Sequence, residues 1–558
     1  MLIKNGEKKM DNKKTELLSP AGNLLKLKTA ILYGADAVYA GTPDMSLRTK
    51  SEFSLEDLKE GVEFVKKNNK KIYLTLNLFT HNKDIEKLPI FLETVKELKP
   101  HGLLIADPGL FQYFKDNAPE IPIHVSTQAN VCSLLSVDFW QKQGAKLCVL
   151  AREVPYNEIK EIKEKSKDIK IEVFVHGAMC MTYSGRCLLS NFMAERGANQ
   201  GNCAHSCRWN YKVKIKLDSN KVFEMDLNDK NKDMFDFVLE EEFREGEYYP
   251  IEEDEMGSYI LNSKDLCLIP VLDDYLDIGI DTMKIEGRNK SEYYAAITAR
   301  AYRRAIDSYY ENKTLGEDYD YRPFLDELYS VTNRGYSLAF HNGRLENLSH
   351  NYEFTKTISN YSFLGQVMEV LEDGFLVEIK NFLEIGDVIE FVSPYYLEPI
   401  RLRINEIIDG ITGEIKSKIS PGKKNQTIKI LYSYFNLIEI EKIKDAIPKL
   451  TVIRKLLEDT SYNNHIKANK ISFLYENNKA TESVLNNVKE NLKNQIHNNE
   501  QNNHSMQKRD YKTEKKCCSL GCNGCLMFDN DEKYYALRDK LKQKGIGKKL
   551  NKVEILDV

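Results

Sequence analysis

Eight short apolar runs, each followed by a stretch of helical character, constrain this chain more than any other feature. The runs cover residues 16–19, 37–40, 71–77, 102–106, 121–126, 146–150, 171–175 and 282–285. Such short apolar runs have the composition of strands buried on both faces. Amphipathic segments at 23–33, 54–67, 85–98 and 156–166 lie between them, and a long helical pattern at 292–312 follows the last. Eight β/α units in series predict an α/β fold, a TIM-like (β/α)8 barrel spanning 15–320. A doubly wound sheet is the alternative, but the first run lacks the Gly-x-Gly-x-x-Gly turn that such a sheet uses to hold a dinucleotide.

The seventh unit is abnormal. Between Val175 and the eighth strand lie roughly a hundred residues instead of a few tens, so a large insertion, 177–265, leaves from the C-terminal end of a strand. Barrel enzymes carry their active sites on that face. The insertion holds Cys180, Cys187, Cys203 and Cys207 in the spacing C-x6-C-x15-C-x3-C. Four thiols this close, in a chain whose N-terminus lacks a signal-like apolar core, read as a soft-ligand metal site and not as a disulfide framework. Spacing alone leaves an iron–sulfur cluster, zinc and buried free thiols open, in that order, because only Cys203 and Cys207 form the close pair that structural zinc sites favour. Cys267 is a substitute ligand, whereas Cys132 and Cys148 read as packed apolar side chains.

Polar residues stand where a barrel site needs them. His124 ends strand five, Arg152 and Glu153 strand six, His176 strand seven, and Glu286 and Arg288 strand eight. Singly, each is better explained by loop capping or barrel closure; together they converge on one face and form the candidate catalytic set. The two guanidiniums suit a carboxylate or phosphate, and the two imidazoles suit proton transfer near neutral pH. No His-Glu-x-x-His, Gly-x-Ser-x-Gly or phosphate-binding Gly-x4-Gly-Lys-Ser/Thr motif is present.

Residues 1–14 read as a polar leader and 321–360 as a connector. Alternating residues with turn signals at 361–440 predict a small β-barrel, in which Lys423, Lys424 and Lys429 are candidates for gripping a phosphate backbone. Residues 441–515 read as a helix (444–456) and a low-complexity linker, and 516–558 as a Cys-rich module. Cys517, Cys518, Cys522 and Cys525 there suggest zinc or a second iron–sulfur cluster. Formal charge is 80 − 84 = −4, so no global basic field advertises nucleic acid, and no run reaches the length of a membrane span. Eleven cysteines in such a chain fit a reducing cytoplasm.

Several segments together resemble the collagenase-like peptidase family U-thirty-two. They are Glu16-Leu17-Leu18-Ser19-Pro20-Ala21-Gly22, Gly34-Ala35-Asp36-Ala37-Val38-Tyr39, His124-Val125-Ser126-Thr127-Gln128, His176-Gly177-Ala178-Met179-Cys180 with Tyr183-Ser184-Gly185-Arg186-Cys187, Asn262-Ser263-Lys264-Asp265-Leu266, and Lys284-Ile285-Glu286-Gly287-Arg288. The form carrying Cys203-x3-Cys207-Arg208-Trp209 is most similar to members that modify tRNA. That resemblance implies hydroxylation of the wobble uridine in the anticodon loop to 5-hydroxyuridine, without molecular oxygen and with prephenate as the small-molecule donor. It also implies a 4Fe-4S cluster on Cys180, Cys187 and Cys203, with Cys207 or Cys267 as the fourth ligand. The family name leaves a metal- or cysteine-dependent peptidase as one alternative. A non-catalytic, metal-bearing RNA-binding protein is another.

Overall fold

The computed structural model describes residues 14–42, 53–77, 80–179, 182–187, 190, 263–316, 318–343, 359–421, 426–435 and 440–457, with short strands, paired among themselves, between 214 and 259 and at 555–557. All eight expected strands form: β1 (Glu16–Ala21), β2 (Ala37–Gly41), β3 (Lys71–Leu76), β4 (Gly102–Ile105), β5 (Ile123–Val125), β6 (Leu147–Val149), β7 (Lys170–Gly177) and β8 (Thr282–Ile285). Each pairs in parallel with its neighbour, and β8 pairs with both β1 and β7, placing Met283 between Leu17 and Val173. The sheet is therefore a closed barrel, the TIM-like fold that the eight apolar runs predict.

Local signals place the helices around it. Asn23 caps α1 (Leu24–Leu32) by accepting from the Lys26 N–H at 2.8 Å, and Ser54 and Asp57 form a reciprocal capping box at the start of α2 (Leu55–Lys67). The long helix α3 (Glu292–Leu315), capped by Ser291, buries a row of alanines and tyrosines against the barrel. Their burial joins the apolar side chains of all eight strands into one core.

The insertion is anchored at its base. As the chain returns, Asp265–Cys267 pairs antiparallel with the end of β7, Leu266 opposite Gly177 and Cys267 opposite His176. Within the stretch expected as a connector, Arg322–Leu328 is helical, and Tyr336–Ser337 pairs in parallel with Asp265–Leu266.

The second unit is an eight-stranded antiparallel sheet. Its strands are β9 (Tyr361–Val370), β10 (Gly374–Ile379), β11 (Val388–Val392), β12 (Ile400–Arg403), β13 (Ile407–Asp409), β14 (Ile415–Lys416), β15 (Thr427–Leu431) and β16 (Val452–Leu456). They lie in the order β12-β11-β16-β9-β10-β15-β13-β14. Here the structure corrects the expected helix at 444–456. Helix α4 (Ile440–Ala446) stops before Pro448, Leu450 turns with φ 74°, and Val452–Leu456 becomes a strand between β11 and β9. Proline ends the hydrogen-bond ladder, and the β-branched pair that follows suits a strand. The sheet rests on the barrel helices. Tyr33 donates to the Val392 carbonyl at 2.6 Å and accepts from the Val452 N–H at 2.9 Å, while Gln366 donates to Thr29 at 2.8 Å.

Candidate active site at the barrel mouth

Contacts that skip a strand show which side chains fill the barrel. Lys284 on β8 reaches over β1 to place its ammonium 4.6 Å from the centre of the Tyr39 ring on β2. It also lies 5.4 Å from the Phe174 ring and bonds Glu172 at 2.7 Å, both on β7. The pair is buried, with 6% of the lysine side chain and none of the glutamate exposed. Arg288, just beyond β8, donates to Thr75 Oγ1 at 2.7 Å, its guanidinium 5.9 Å from the Tyr39 ring. Arg152, just beyond β6, lies 3.8 Å from the Phe174 ring. Three cations thus converge on two aromatic faces at the C-terminal end of the barrel, a geometry that cation–π attraction favours.

Burial sets the electrostatics of the ion pair. Desolvation pushes the Lys284 ammonium below its usual range and the Glu172 carboxyl above its own, and the ion pairing opposes both shifts. The second carboxylate oxygen of Glu172 is buried with no hydrogen-bond partner among the described residues.

The sequence-derived residues divide into three groups. Arg152 and Arg288 both lie at the mouth, against the Phe174 and Tyr39 rings. Glu153 and Glu286 hold the insertion in place. Glu153 accepts from the Ser184 N–H at 2.9 Å, the Ser184 hydroxyl at 3.0 Å and Asn130 at 2.6 Å, and Glu286 accepts from the Ala178 N–H at 3.4 Å. The two histidines are not at the rim, although His124 lies deeper in the barrel within the field of Lys284. His124 points into the barrel against Tyr73, with ring centres 4.7 Å apart. His176 lies outside the barrel wall, among Tyr294, Tyr302 and Tyr336. Burial depresses both imidazoles to about 3, so they are neutral near pH 7, which corrects the expectation that they shuttle protons there.

The cysteine loop sits on the same rim. Cys187 is half-buried, while Cys180, Cys203, Cys207, Cys517, Cys518, Cys522 and Cys525 lie outside the described residues. Gly185, at φ 76°, lets the loop close over Gln128, whose carbonyl oxygen would lie 2.6 Å from an added Cβ. Gln128 is held beneath by Asn77 at 3.3 Å and Ser126 at 2.5 Å. Cys267 is excluded from that rim. Its thiol is fully buried beside the Tyr302 hydroxyl at 3.8 Å and is pushed up to about 12 by desolvation, so it is a packed apolar group here. Among the described residues no group of three or more His, Cys, Asp or Glu side chains is placed to hold a metal ion, and no helix is long and apolar enough to cross a membrane. Of the second sheet's candidate lysines, Lys429 is engaged by Asp373 at 2.7 Å, and Lys423 and Lys424 lie outside the described residues.

Lys284 and Glu172 were missed as site residues from sequence. The signal was available: each is the charged residue of an otherwise apolar strand core, the strands are neighbours, and the charges are opposite.

Comparison with known proteins fits this architecture. Residues 22–351 match the family described as Peptidase family U32. The chain belongs to that family. It is 39% identical over 397 residues to the tRNA hydroxylation protein P of Escherichia coli strain K12, covering 68% of this chain and 86% of the relative. Similarity to the tRNA hydroxylation protein P1 of Bacillus subtilis strain 168 is 37% over 398 residues, covering 70% and 86%. A protein named collagenase from Porphyromonas gingivalis is 28% identical over 446 residues, covering 73% and 96%. The U32 match begins at the β1–α1 junction and runs past the insertion to the end of the barrel, so it contains every mouth residue named above.

Proposed function

We propose that this protein hydroxylates tRNA, converting the wobble uridine of the anticodon loop to 5-hydroxyuridine. In this reading the reaction uses a 4Fe-4S cluster on Cys180, Cys187, Cys203 and Cys207 and takes prephenate as its small-molecule donor. The observation that carries the reading is the shared rim, with Arg152, Arg288 and Lys284 over two aromatic faces and the Cys187 loop clasped to Gln128 and Glu153 beside them. Relatives named for tRNA hydroxylation, similar over most of their length, supply the reaction class.

In this site Arg152 and Arg288 bind the donor's carboxylates, and Tyr39 and Phe174 form its apolar walls. The anticodon loop already holds its bases partly unstacked, so turning one uridine toward the mouth costs no more than a few kcal/mol. Glu153 and Glu286 act by positioning, fixing the first turns of the insertion over the pocket. Cys180, Cys187, Cys203 and Cys207 would hold the cluster, which would supply one-electron chemistry, and thiolates are the soft donors such clusters take. A cytoplasmic location follows from the substrate. The tail cysteines Cys517, Cys518, Cys522 and Cys525 are proposed as a separate zinc or iron–sulfur site.

The test is anaerobic purification with iron and sulfide quantification, together with mass spectrometry of tRNA nucleosides from cells carrying wild-type or Cys187→Ala protein. The wild type is expected to bind about four irons per chain and to restore 5-hydroxyuridine, and Cys187→Ala to lose both. About eight irons would place a second cluster in the tail. A cluster-free Cys187→Ala protein that still restores the nucleoside would overturn the cluster's role. The relative named collagenase motivates one competing reading, and gelatin cleavage by metal-free protein would establish it in place of the hydroxylase.

A further inference from the structure

We infer that Lys284 is an imine-forming amine and that the barrel mouth takes a 2-oxo carboxylic acid. The inference rests on the reading of the mouth as the active site and names the chemical class of its small molecule. Prephenate carries that functional group.

Four features of the pocket meet the needs of such chemistry. First, the amine lies on a barrel strand and not on a loop. Its ammonium is 4.6 Å from the Tyr39 ring centre and 5.4 Å from that of Phe174, so its position is fixed by packing. Second, a proton acceptor is in place, because Glu172 Oε1 lies 2.7 Å from Nζ. Third, burial favours the neutral form of both partners, so proton transfer from ammonium to carboxylate yields a free amine without leaving a lone charge in the barrel. Fourth, the Arg152 and Arg288 guanidiniums lie against the same two rings that hold the ammonium, 3.8 Å from the Phe174 centre and 5.9 Å from the Tyr39 centre, and guanidiniums suit the carboxylate of such an acid.

A purely architectural role explains the pair less well. A buried ion pair is about as stable as, or less stable than, an apolar pair of similar volume. This one also leaves Glu172 Oε2 buried without a partner among the described residues.

The step balances without a redox partner. Glu172 takes a proton from the Lys284 ammonium, and the free amine adds to the carbonyl carbon, forming a C–N bond as the C=O π bond opens and one N–H proton passes to the oxygen to give a hydroxyl. Glu172 returns its proton to that hydroxyl, which leaves as water, and the protonated imine remains beside the restored carboxylate.

Reductive trapping tests the inference on the full-length, anaerobically purified protein. Phenylpyruvate with sodium cyanoborohydride should add the mass of the probe less one oxygen atom to the peptide containing Lys284. Phenylacetone has the same carbonyl but no carboxylate, and should label Lys284 at least about tenfold less, the loss of about one charge-assisted hydrogen bond. Folded Lys284→Arg keeps the charge and should lose both the adduct and tRNA hydroxylation. Adducts confined to other lysines of the wild-type protein would overturn the inference, and that result needs no variant to fold. Hydroxylation undiminished in Lys284→Arg would overturn it too, and would leave the tRNA reading intact. Trapping at Lys284 in a protein that never modifies tRNA would have the opposite meaning: the imine would stand and the tRNA reading would fall.

Discussion

The two ends of the barrel are both charged, but their charges are arranged differently. At the N-terminal end a cavity of about 500 Å³ is lined by Lys14, Lys70, Lys71, Arg303, Glu16, Asp36, Asp307 and others. These groups satisfy one another: Lys70 and Arg303 bind Asp36 at 2.9 and 2.7 Å, Lys71 binds Glu16 at 2.5 Å, and Lys14 binds Asp307 at 3.2 Å. At the C-terminal end the cations lie against aromatic rings, and the carboxylates of Glu153 and Glu286 accept from the insertion's backbone. The presence of a cavity therefore does not make the N-terminal end the better site. Charges paired at a wet surface close the barrel, whereas cations held on apolar faces keep their attraction for an incoming anion.

The largest expected effect lies in the buried Lys284–Glu172 ion pair at the mouth. Glu172→Gln removes the negative charge beside a buried ammonium, and breaking a buried pair from one side costs about 3 kcal/mol or more. Urea midpoints should show that loss, and a Glu172→Gln/Lys284→Met double variant should recover most of it. A single variant as stable as wild type would mean that the mouth, like the floor, is too well hydrated for its charges to matter.

Acid should come next. The His124 and His176 imidazoles are held neutral by burial, at about 3, whereas in the unfolded chain they titrate near the ordinary value of 6.5. Below pH 6.5 the unfolded chain therefore binds more protons, so stability is full above that pH and falls as the pH drops toward 3. The slope is up to about 1.4 kcal/mol per pH unit for each imidazole. Urea midpoints measured between pH 7.5 and 4.5 check this. A flat profile would mean that water reaches both rings, His124 inside the barrel and His176 on its outer wall.

Much of this was legible in the sequence because strands buried on both faces are apolar runs, and all eight announced themselves that way. Arg152 and Arg288 were legible for a related reason, since a charged residue just past such a run lies at a barrel end. The roles of Glu153 and Glu286 were not, because sequence position does not say whether a carboxylate faces the pocket or the Ser184 and Ala178 amides. His176 misled because the register of β7 against β8 shifts at Lys284/Ile285, next to its partner Ile285, and the ring packs on the outer wall with Tyr302. Position at a strand end does not say whether a side chain faces the interior or the outer wall, and a register shift can turn it outward. The strand at Val452–Leu456 was hidden by its neighbours, because the charged residues from Glu441 to Lys449 have helical spacing that masks the break at Pro448.

Arg152→Gln probes the mouth directly. Its guanidinium lies against Phe174 and, among the described residues, has no hydrogen-bond partner, so its loss should cost little stability. Removing one charge-assisted contact to the proposed donor corresponds to about 1.5–3 kcal/mol, a rise of roughly ten- to a hundredfold in that donor's KM. Hydroxylation of tRNA measured across a series of donor concentrations, with a melting curve alongside, separates the two effects. An unchanged KM would remove Arg152 from the site and leave Arg288 as the proposed clamp.

The smallest effect is expected at the floor, and it is the control on which the comparison depends. Arg303→Met breaks contacts to Asp36 at 2.7 Å and Asp307 at 2.9 Å, but both carboxylates are about a third exposed. Solvent and salt screen such pairs, so the cost should be about 1 kcal/mol or less and should shrink further in high salt. Hydroxylation and the donor's KM should stay at wild-type values, because the substituted side chain lies at the far end of the barrel from Arg152. A KM shift comparable to that of Arg152→Gln would mean that the ends are coupled along the interior, through Glu16, Tyr73 and their neighbours, and that charge at the floor tunes the pocket at the mouth.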